Sequence, residues 1–285
     1  MLRQLLLTAA ILIPLVIWGV LGLSSTWFSV LLALLVVLGA WEWSGLVPLN
    51  TIAGRYAYIV LIGATITGAA FFPADIARAI VVAGVLWWFV AMIEIFRFNR
   101  GGSLGGETSI PAAESGMECQ KVGRMIIGVV VLVPAWMALS LIHATGTEGP
   151  YYALFLLILV WTADSGAYFA GKKWGRRHLA PRVSPGKTWE GVGGGLCAVL
   201  VVASGAGVLF GFYKAPLLVF VLICLGAAIF SIAGDLFESM YKREAGIKDS
   251  GKLLPGHGGV LDRIDSLTAA APIFALGLWL VEKMR

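Results

Sequence analysis

Charge is scarce in this chain. Of its 285 residues, 13% are Asp, Glu, Lys or Arg, against about 25% in an average soluble domain. With 59% hydrophobic residues and a mean hydropathy of +0.89, an ordinary water-soluble globule is excluded. Counting soluble domains by length therefore has no meaning here. Cysteine is scarce as well, at three residues. Cys197 and Cys224 fall in apolar segments, and Cys119 is expected in a loop. An odd, scattered set gives neither a disulfide framework nor zinc-ligand spacing. Small buried hydrophobes are the expected role. Histidines number three, and His143, at the outer end of an apolar stretch, has no metal-ligand partner. No fixed-period repeat is visible.

What is abundant is apolar length. A helix rises about 1.5 Å per residue, so crossing the hydrocarbon takes roughly 20 apolar residues. Nine stretches qualify: Leu5–Leu23, Trp27–Leu46, Tyr56–Phe72, Ile76–Phe96, Met125–Ile142, Tyr151–Ala170, Gly191–Phe212, Pro216–Ala233 and Leu267–Lys283. The first resembles a signal peptide, with Arg3 ahead of an apolar run. It runs for a full span and lacks a clear small-residue cleavage site, so it reads as an uncleaved transmembrane helix. Several spans are rich in Gly and Ala, which permits close helix packing. Trp27, Trp41, Trp43, Trp87, Trp88 and Trp279 lie towards span ends, as an aromatic belt would. The expected fold is all-α: a polytopic integral membrane protein of about nine helices. Residues 1–150 supply about five spans, and residues 151–285 form a catalytic region with charged loops.

Orientation follows from the basic residues. With the N-terminus in the cytoplasm, 17 of the 21 Lys and Arg lie inside, and only Arg78, Lys214, Lys283 and Arg285 lie outside. This is a strong positive-inside bias. It puts both charged clusters on the cytoplasmic face, where nucleotides and Mg²⁺ are found. The loop Asn99–Lys121 reads as a flexible connection. Glu42 and Glu94, at span ends, are explained by snorkelling to the interface.

The charge that exists is concentrated. Residues 235–265 hold six acidic residues, five Lys or Arg and His257. Asp235 and Glu238 share a helix face at i and i+3, and so do Asp262 and Asp265. Asp249 lies between the pairs, among Lys242, Arg243, Lys248, Lys252 and Arg263. Converging carboxylates repel unless a cation neutralises them, and hard oxygen ligands suit Mg²⁺ rather than zinc. Carboxylates alternating with cations can hold a metal together with phosphate oxygens. The plainer alternative is a solvated loop of structural ion pairs. The turn Pro255-Gly256-His257-Gly258-Gly259 allows close backbone approach.

A second cluster, Gly171–Gly191, carries six cations. They can grip a polyphosphate, bind anionic head groups or fix topology. Gly186-Lys187-Thr188 suggests a P-loop, but Pro181 stands where that pattern needs Gly, and no strand is expected before it. Ser184-Pro185 reads as a helix N-cap with Pro at the first helical position, aiming amides at a phosphate beside Lys187. Asp164, alone at the end of a span, is expensive and points to metal binding or an ion pair.

Taken together, these residues resemble the CDP-diacylglycerol synthases, also called phosphatidate cytidylyltransferases. The signature S-x-x-K-R-x4-K-D-x-G-x2-L-P-x-H-G-G-x2-D-R-x-D is filled without a gap. Its positions are Ser239, Lys242-Arg243, Lys248-Asp249, Gly251, Leu254-Pro255, His257-Gly258-Gly259, Asp262-Arg263 and Asp265. The likeness is strong over residues 160–272. It implies transfer of a cytidylyl group from CTP to phosphatidic acid in a bacterial inner-membrane enzyme. Mg²⁺ is the implied ion, alone or with a second cation. The implied metal ligands are Asp235, Asp262, Asp265 and Asp164. Asp249, Lys248, Arg263 and His257 take catalytic roles. Lys187, Ser184, Lys242, Arg243 and Ser239 take substrate-binding roles. The implied partners are CTP, phosphatidic acid, membrane lipids and a second copy of the chain, with no nucleic acid. A CDP-alcohol phosphotransferase is excluded, because its D-G-x2-A-R-x8-G-x3-D-x3-D pattern is absent. A CTP-using prenol kinase stays open to substrate assays. A transporter would place its charges near the bilayer midplane rather than at one face.

Overall fold

The structure is a computed structural model and describes residues 2–47, 49, 51–101, 114–251, 253 and 258–284. Side chains within the helices are described from Leu12 onward in the first and from Gln120 onward in the fifth. In chain order the helices are α1 (Leu2–Gly22), α2 (Ser25–Leu46), α3 (Ile52–Ala69), α4 (Ala74–Asn99), α5 (Glu114–His143) and α6 (Gly149–Trp174). A short hairpin follows, β1 (His178–Ala180) and β2 (Ser184–Thr188), and then α7 (Trp189–Leu209), α8 (Ala215–Glu244) and α9 (Leu261–Glu282).

Helices dominate because hydrocarbon offers no partner for a backbone N–H or C=O. From α2 to α9, eight helices are long and apolar enough to cross a membrane, and α1 adds an apolar stretch described over Leu12–Gly22. Their outer faces are apolar: Val60, Val201 and Leu209 are exposed at 69%, 73% and 88%. In water such a surface would be a liability; against lipid it is the expected solvent-facing side. The chain is therefore a multi-pass membrane protein.

Small residues set the closest contacts. In α6 and α7, a Cβ on Gly194 would strike the Ala170 Cβ, and one on Gly195 would lie 2.7 Å from the Ala163 carbonyl oxygen. Backbones that approach this closely gain dispersion contacts without needing a hydrophobic drive. On the other side, α9 packs against α8, α5 and α4. Trp88 Nε1 donates to the Thr268 carbonyl at 3.0 Å, and Trp43 Nε1 donates to the Arg124 carbonyl at 3.0 Å. Trp43 and Phe237 bracket Tyr241, with ring centroids 5.0 and 5.1 Å away. These aromatics bury area while their polar tips find partners, which locks α8 and α9 in rotation. His143 is structural: it is buried, stacks on Phe28 at 4.1 Å and bonds Ser25 Oγ and the Val20 carbonyl.

Three expectations need correction. The polar connection after Asn99 is shorter than read, because α5 already begins at Glu114; Cys119 is therefore helical, not in a loop. Ser184-Pro185 does not start a helix. It lies in β2, where Ser184 pairs with Ala180, and α7 is capped instead by Thr188, whose side chain accepts from Gly191 N at 3.1 Å. A short strand, β1, does precede Gly186-Lys187-Thr188; Pro181 still rules out the P-loop pattern.

Candidate functional site

The site grows from the length of α8. Thirty residues rise about 45 Å, against a hydrocarbon core of about 30 Å. Its last three turns therefore extend beyond the core while remaining helical. They carry Asp235, Glu238, Ser239, Lys242 and Arg243. The neighbouring helix α9 begins at Leu261, so its first turns bring Asp262 and Asp265 alongside. Gly234 lets them meet: a Cβ there would strike the Asp265 carbonyl oxygen.

Two lysines offset part of this charge. Lys187, from the hairpin, places Nζ 2.6 Å from Asp235 Oδ2. Lys242 Nζ donates to Asp262 Oδ1 at 2.7 Å. It also lies 3.4 Å from Glu238 Oε1, close enough for attraction but without a hydrogen bond. Both Glu238 oxygens are buried without an N–H or hydroxyl donor, and the Asp262 and Asp265 carboxylates lie close enough to share a proton with them. Ser239 Oγ donates to Asp235 Oδ1 at 3.2 Å. Asp265 Oδ1 accepts from Ser266 N at 2.6 Å. Asp262 also accepts from Ser250 N at 3.1 Å and Gly259 N at 2.8 Å, tying the connecting loop to the start of α9. Among the described residues, no three His, Cys, Asp or Glu side chains are grouped as metal ligands.

Beside this cluster opens a polar cavity of about 410 Å³ between α6, α7, α8 and the hairpin. Asp164, Lys172, Lys187 and Asp235 line it, together with the glycines Gly171, Gly186 and Gly191. The hairpin is anchored on several sides. Glu190 accepts from the Arg176 and Arg177 amides at 3.0 and 3.2 Å. Arg243 Nε donates to the Val183 carbonyl at 3.1 Å. His178 Nδ1 lies 2.8 Å from the Pro185 carbonyl. The basic loop is thus a braced wall that holds Lys187 over Asp235.

Of the residues predicted from sequence, Lys187, Asp235 and Asp164 share that cavity, and Ser239, Lys242, Asp262 and Asp265 form the adjoining cluster. Ser184 is in the hairpin but does not line the cavity. Lys248 and Asp249 are exposed in the connecting loop, and Asp249 lies next to Gly258. Arg263 lines a separate, apolar cavity. His257 lies outside the described residues.

Glu42 was misread from the sequence. It does not snorkel; it is 4% exposed. Its carboxylate accepts from Val260 N at 3.1 Å, Leu261 N at 2.7 Å and Ser250 Oγ at 3.1 Å. It therefore caps α9 from α2, satisfying amides that a helix start leaves orphaned. A Cβ on Gly251 or Gly259 would strike this carboxylate. The two glycines of the signature are needed there for close approach, and that was the available signal: an acidic residue in an apolar span and a glycine-rich loop with no stated partner. Glu94, in contrast, stays at the surface, 3.5 Å from Arg97.

The cytidylyltransferase family model matches residues 3–281. A phosphatidate cytidylyltransferase of Pseudomonas aeruginosa is 40% identical over 283 residues, covering 98% of this chain and 97% of the relative. One from Haemophilus influenzae is 36% identical over 300 residues, covering 96% and 98%. One from Bacillus subtilis is 44% identical over 133 residues, 46% of this chain and 49% of that relative.

Proposed function

Because the chain belongs to the cytidylyltransferase family, we propose that the cluster at the ends of α8 and α9 transfers a cytidylyl group from CTP to phosphatidate. The products are CDP-diacylglycerol and pyrophosphate. The observation that carries this reading is the end-to-end similarity at 40% identity, with Ser239, Lys242, Asp262 and Asp265 of the ungapped signature gathered in one cluster.

A phosphate oxygen of phosphatidate forms a bond to the α-phosphorus of CTP. The bond from that phosphorus to the bridging oxygen breaks, and pyrophosphate leaves with the electron pair. Both reactants are anions, so the barrier is mainly one of repulsion and alignment, and catalysis is largely positioning and electrostatics. The attacking phosphate is already ionised near neutral pH, so no strong general base is required. Lys187 of the hairpin and Lys172 of the last turn of α6 line the cavity and can neutralise nucleotide phosphates there. Thr188 and Gly191, at the capped start of α7, line the same cavity. Lys242 sits between Glu238 and Asp262 and offsets their charge.

Mg²⁺ is the ion this reading assigns to the site. The residues on offer are hard carboxylate oxygens, and Asp262, Asp265 and the buried Glu238 crowd together with more negative charge than Lys242 alone offsets. Asp235, Asp262, Asp265 and Asp164 are the residues that would hold it. When bound, the ion supplies neutralisation of phosphate oxygens and of the departing pyrophosphate. Lys187 and Lys242, paired with Asp235 and Asp262, are the cations nearest those carboxylates and are placed to meet phosphate oxygens. The site faces the cytoplasm of a bacterial inner membrane. Support for this comes from the 17-to-4 partition of basic residues.

The test is incubation of the purified protein with cytidine-labelled CTP, phosphatidate and Mg²⁺. A chloroform-soluble labelled product is expected. Label that stays entirely in the aqueous phase would overturn the proposal.

A further inference from the structure

A second cavity, of about 300 Å³, lies between α1, α2, α5, α6 and α9. Its walls are Leu, Val, Ala and Phe side chains together with Trp136 and Trp161. Among the described residues that line it, Arg263 alone is charged. This arginine is in the first turn of α9, between Asp262 and Asp265 in sequence. One cation at the end of an otherwise apolar cavity matches an amphiphile with an anionic head. A soluble nucleotide would find few polar partners for its ribose and base there, Thr268 and Arg263 being the polar side chains with a hydroxyl or charge.

The two cavities follow one another along one face of α6. Trp161 lines the apolar one and Asp164 lines the polar one. These residues are one helical turn apart, about 4.5 Å along the axis. On α9, Arg263, Ile264 and Leu267 line the apolar cavity, while Asp262 and Asp265 join the carboxylate cluster. A molecule with its tail in the apolar cavity keeps its head at Arg263, whose sequence neighbours Asp262 and Asp265 belong to the carboxylate cluster.

We infer that this cavity is the acyl-chain site for the phosphatidate substrate, with Arg263 holding the lipid phosphate. The inference rests on the cytidylyltransferase reading and specifies where the lipid lies. It also assigns a division of labour: nucleotide between α6, α7 and α8, lipid between α1, α2, α5 and α9. Hydrocarbon is no more at home in the cavity than in the bilayer, so the tail adds placement rather than affinity. Selection for an anionic head falls to Arg263.

The experiment uses the full-length protein in mixed micelles and phosphatidate bearing a diazirine at mid-chain. After irradiation, the labelled peptides are mapped. Label is expected on Leu32 or Leu35 of α2, on α1 or on Leu267, reduced at least tenfold by excess unlabelled phosphatidate but not by phosphatidylcholine. Leu32→Trp and Leu35→Trp fill the cavity without touching the charged residues. They should raise KM for dioleoyl phosphatidate several-fold while KM for CTP stays unchanged, and dihexanoyl phosphatidate should be turned over as well as by the wild type. Equal competition by phosphatidylcholine means bulk lipid fills the cavity and overturns the inference. So does label confined to residues that do not line the cavity, or a cavity protected from label by a second copy of the chain. A wild type that turns over CTP but gives any of these results sinks the acyl site alone. A wild type that forms no lipid-soluble cytidine product sinks the reading of function, and the acyl site with it.

Discussion

Replacing Glu42 tests whether α2 controls the signature loop. In Glu42→Ala, the Val260 and Leu261 amides lose their acceptor in a buried setting. An unsatisfied buried donor costs about 1–3 kcal/mol, and a lost helix cap about 0.5–2 kcal/mol. The Ser250 hydroxyl is only half-buried and can turn to water, so it adds little. The sum, discounted because cap and amide are the same interaction, is about 2–4 kcal/mol. This cost falls on the loop and the first turn of α9, not on the whole bundle, so it appears as local opening. Amide exchange at Val260 and Leu261 should speed up about thirtyfold or more, since 1.4 kcal/mol is roughly a factor of ten. Displacing Asp262 and Asp265 by about 1 Å should lower kcat/KM about a hundredfold. Glu42→Gln keeps one carbonyl acceptor and should fall between wild type and Glu42→Ala, at about 1–2 kcal/mol. The assay pairs hydrogen exchange with steady-state kinetics in detergent. A Glu42→Ala protein with wild-type kcat/KM and unchanged exchange at those two amides refutes the reasoning.

Other substitutions probe other parts of the site. Asp262→Ala removes the partner of Lys242, Ser250 and Gly259 and should abolish turnover while helicity, read by far-UV circular dichroism, is kept; retained turnover contradicts its place in the site. Lys187→Ala should raise the CTP KM about tenfold or more if its charge meets nucleotide phosphates, and Lys187→Arg should recover part of the loss; an unchanged CTP profile would leave the loop a topological role. Gly194→Leu forces apart α6 and α7 and should cost about 1–3 kcal/mol of stability through overpacking, measured as a lower midpoint of thermal unfolding in detergent. Unaltered unfolding there would mean the two backbones are not in contact.

The spans were legible because a bilayer leaves the backbone few options, so long apolar runs translate directly into helices. Asp235, Glu238, Asp262 and Asp265 were legible as a group for a related reason: charge next to a span is costly and needs partners. Helical spacing then put each pair on one face. What failed was mostly long-range or very short. Glu42 bonds Leu261 across 219 positions, and no local pattern encodes such a partner. The hairpin uses strands of three and five residues. Ser184-Pro185 offered a strong local cap signal there, but pairing with Ala180 and the Arg243 bond to Val183 prevailed. Helix α8 also outran its apolar sequence: the span ends near Ala233, while the helix continues to Glu244. Hydropathy marks the edge of the lipid, not the end of hydrogen bonding. The split of Arg263 from Asp262 and Asp265 was likewise invisible, because adjacent residues on a helix point about 100° apart and only the packing tells what each meets.

The most direct test of the account is the fate of each CTP phosphate. Purified protein is given phosphatidate, Mg²⁺ and CTP labelled at either the α- or the γ-phosphorus. The account predicts that α-label enters the lipid phase and γ-label stays in water as pyrophosphate. Transfer of γ-label to lipid, or retention of both labels in water, would contradict it.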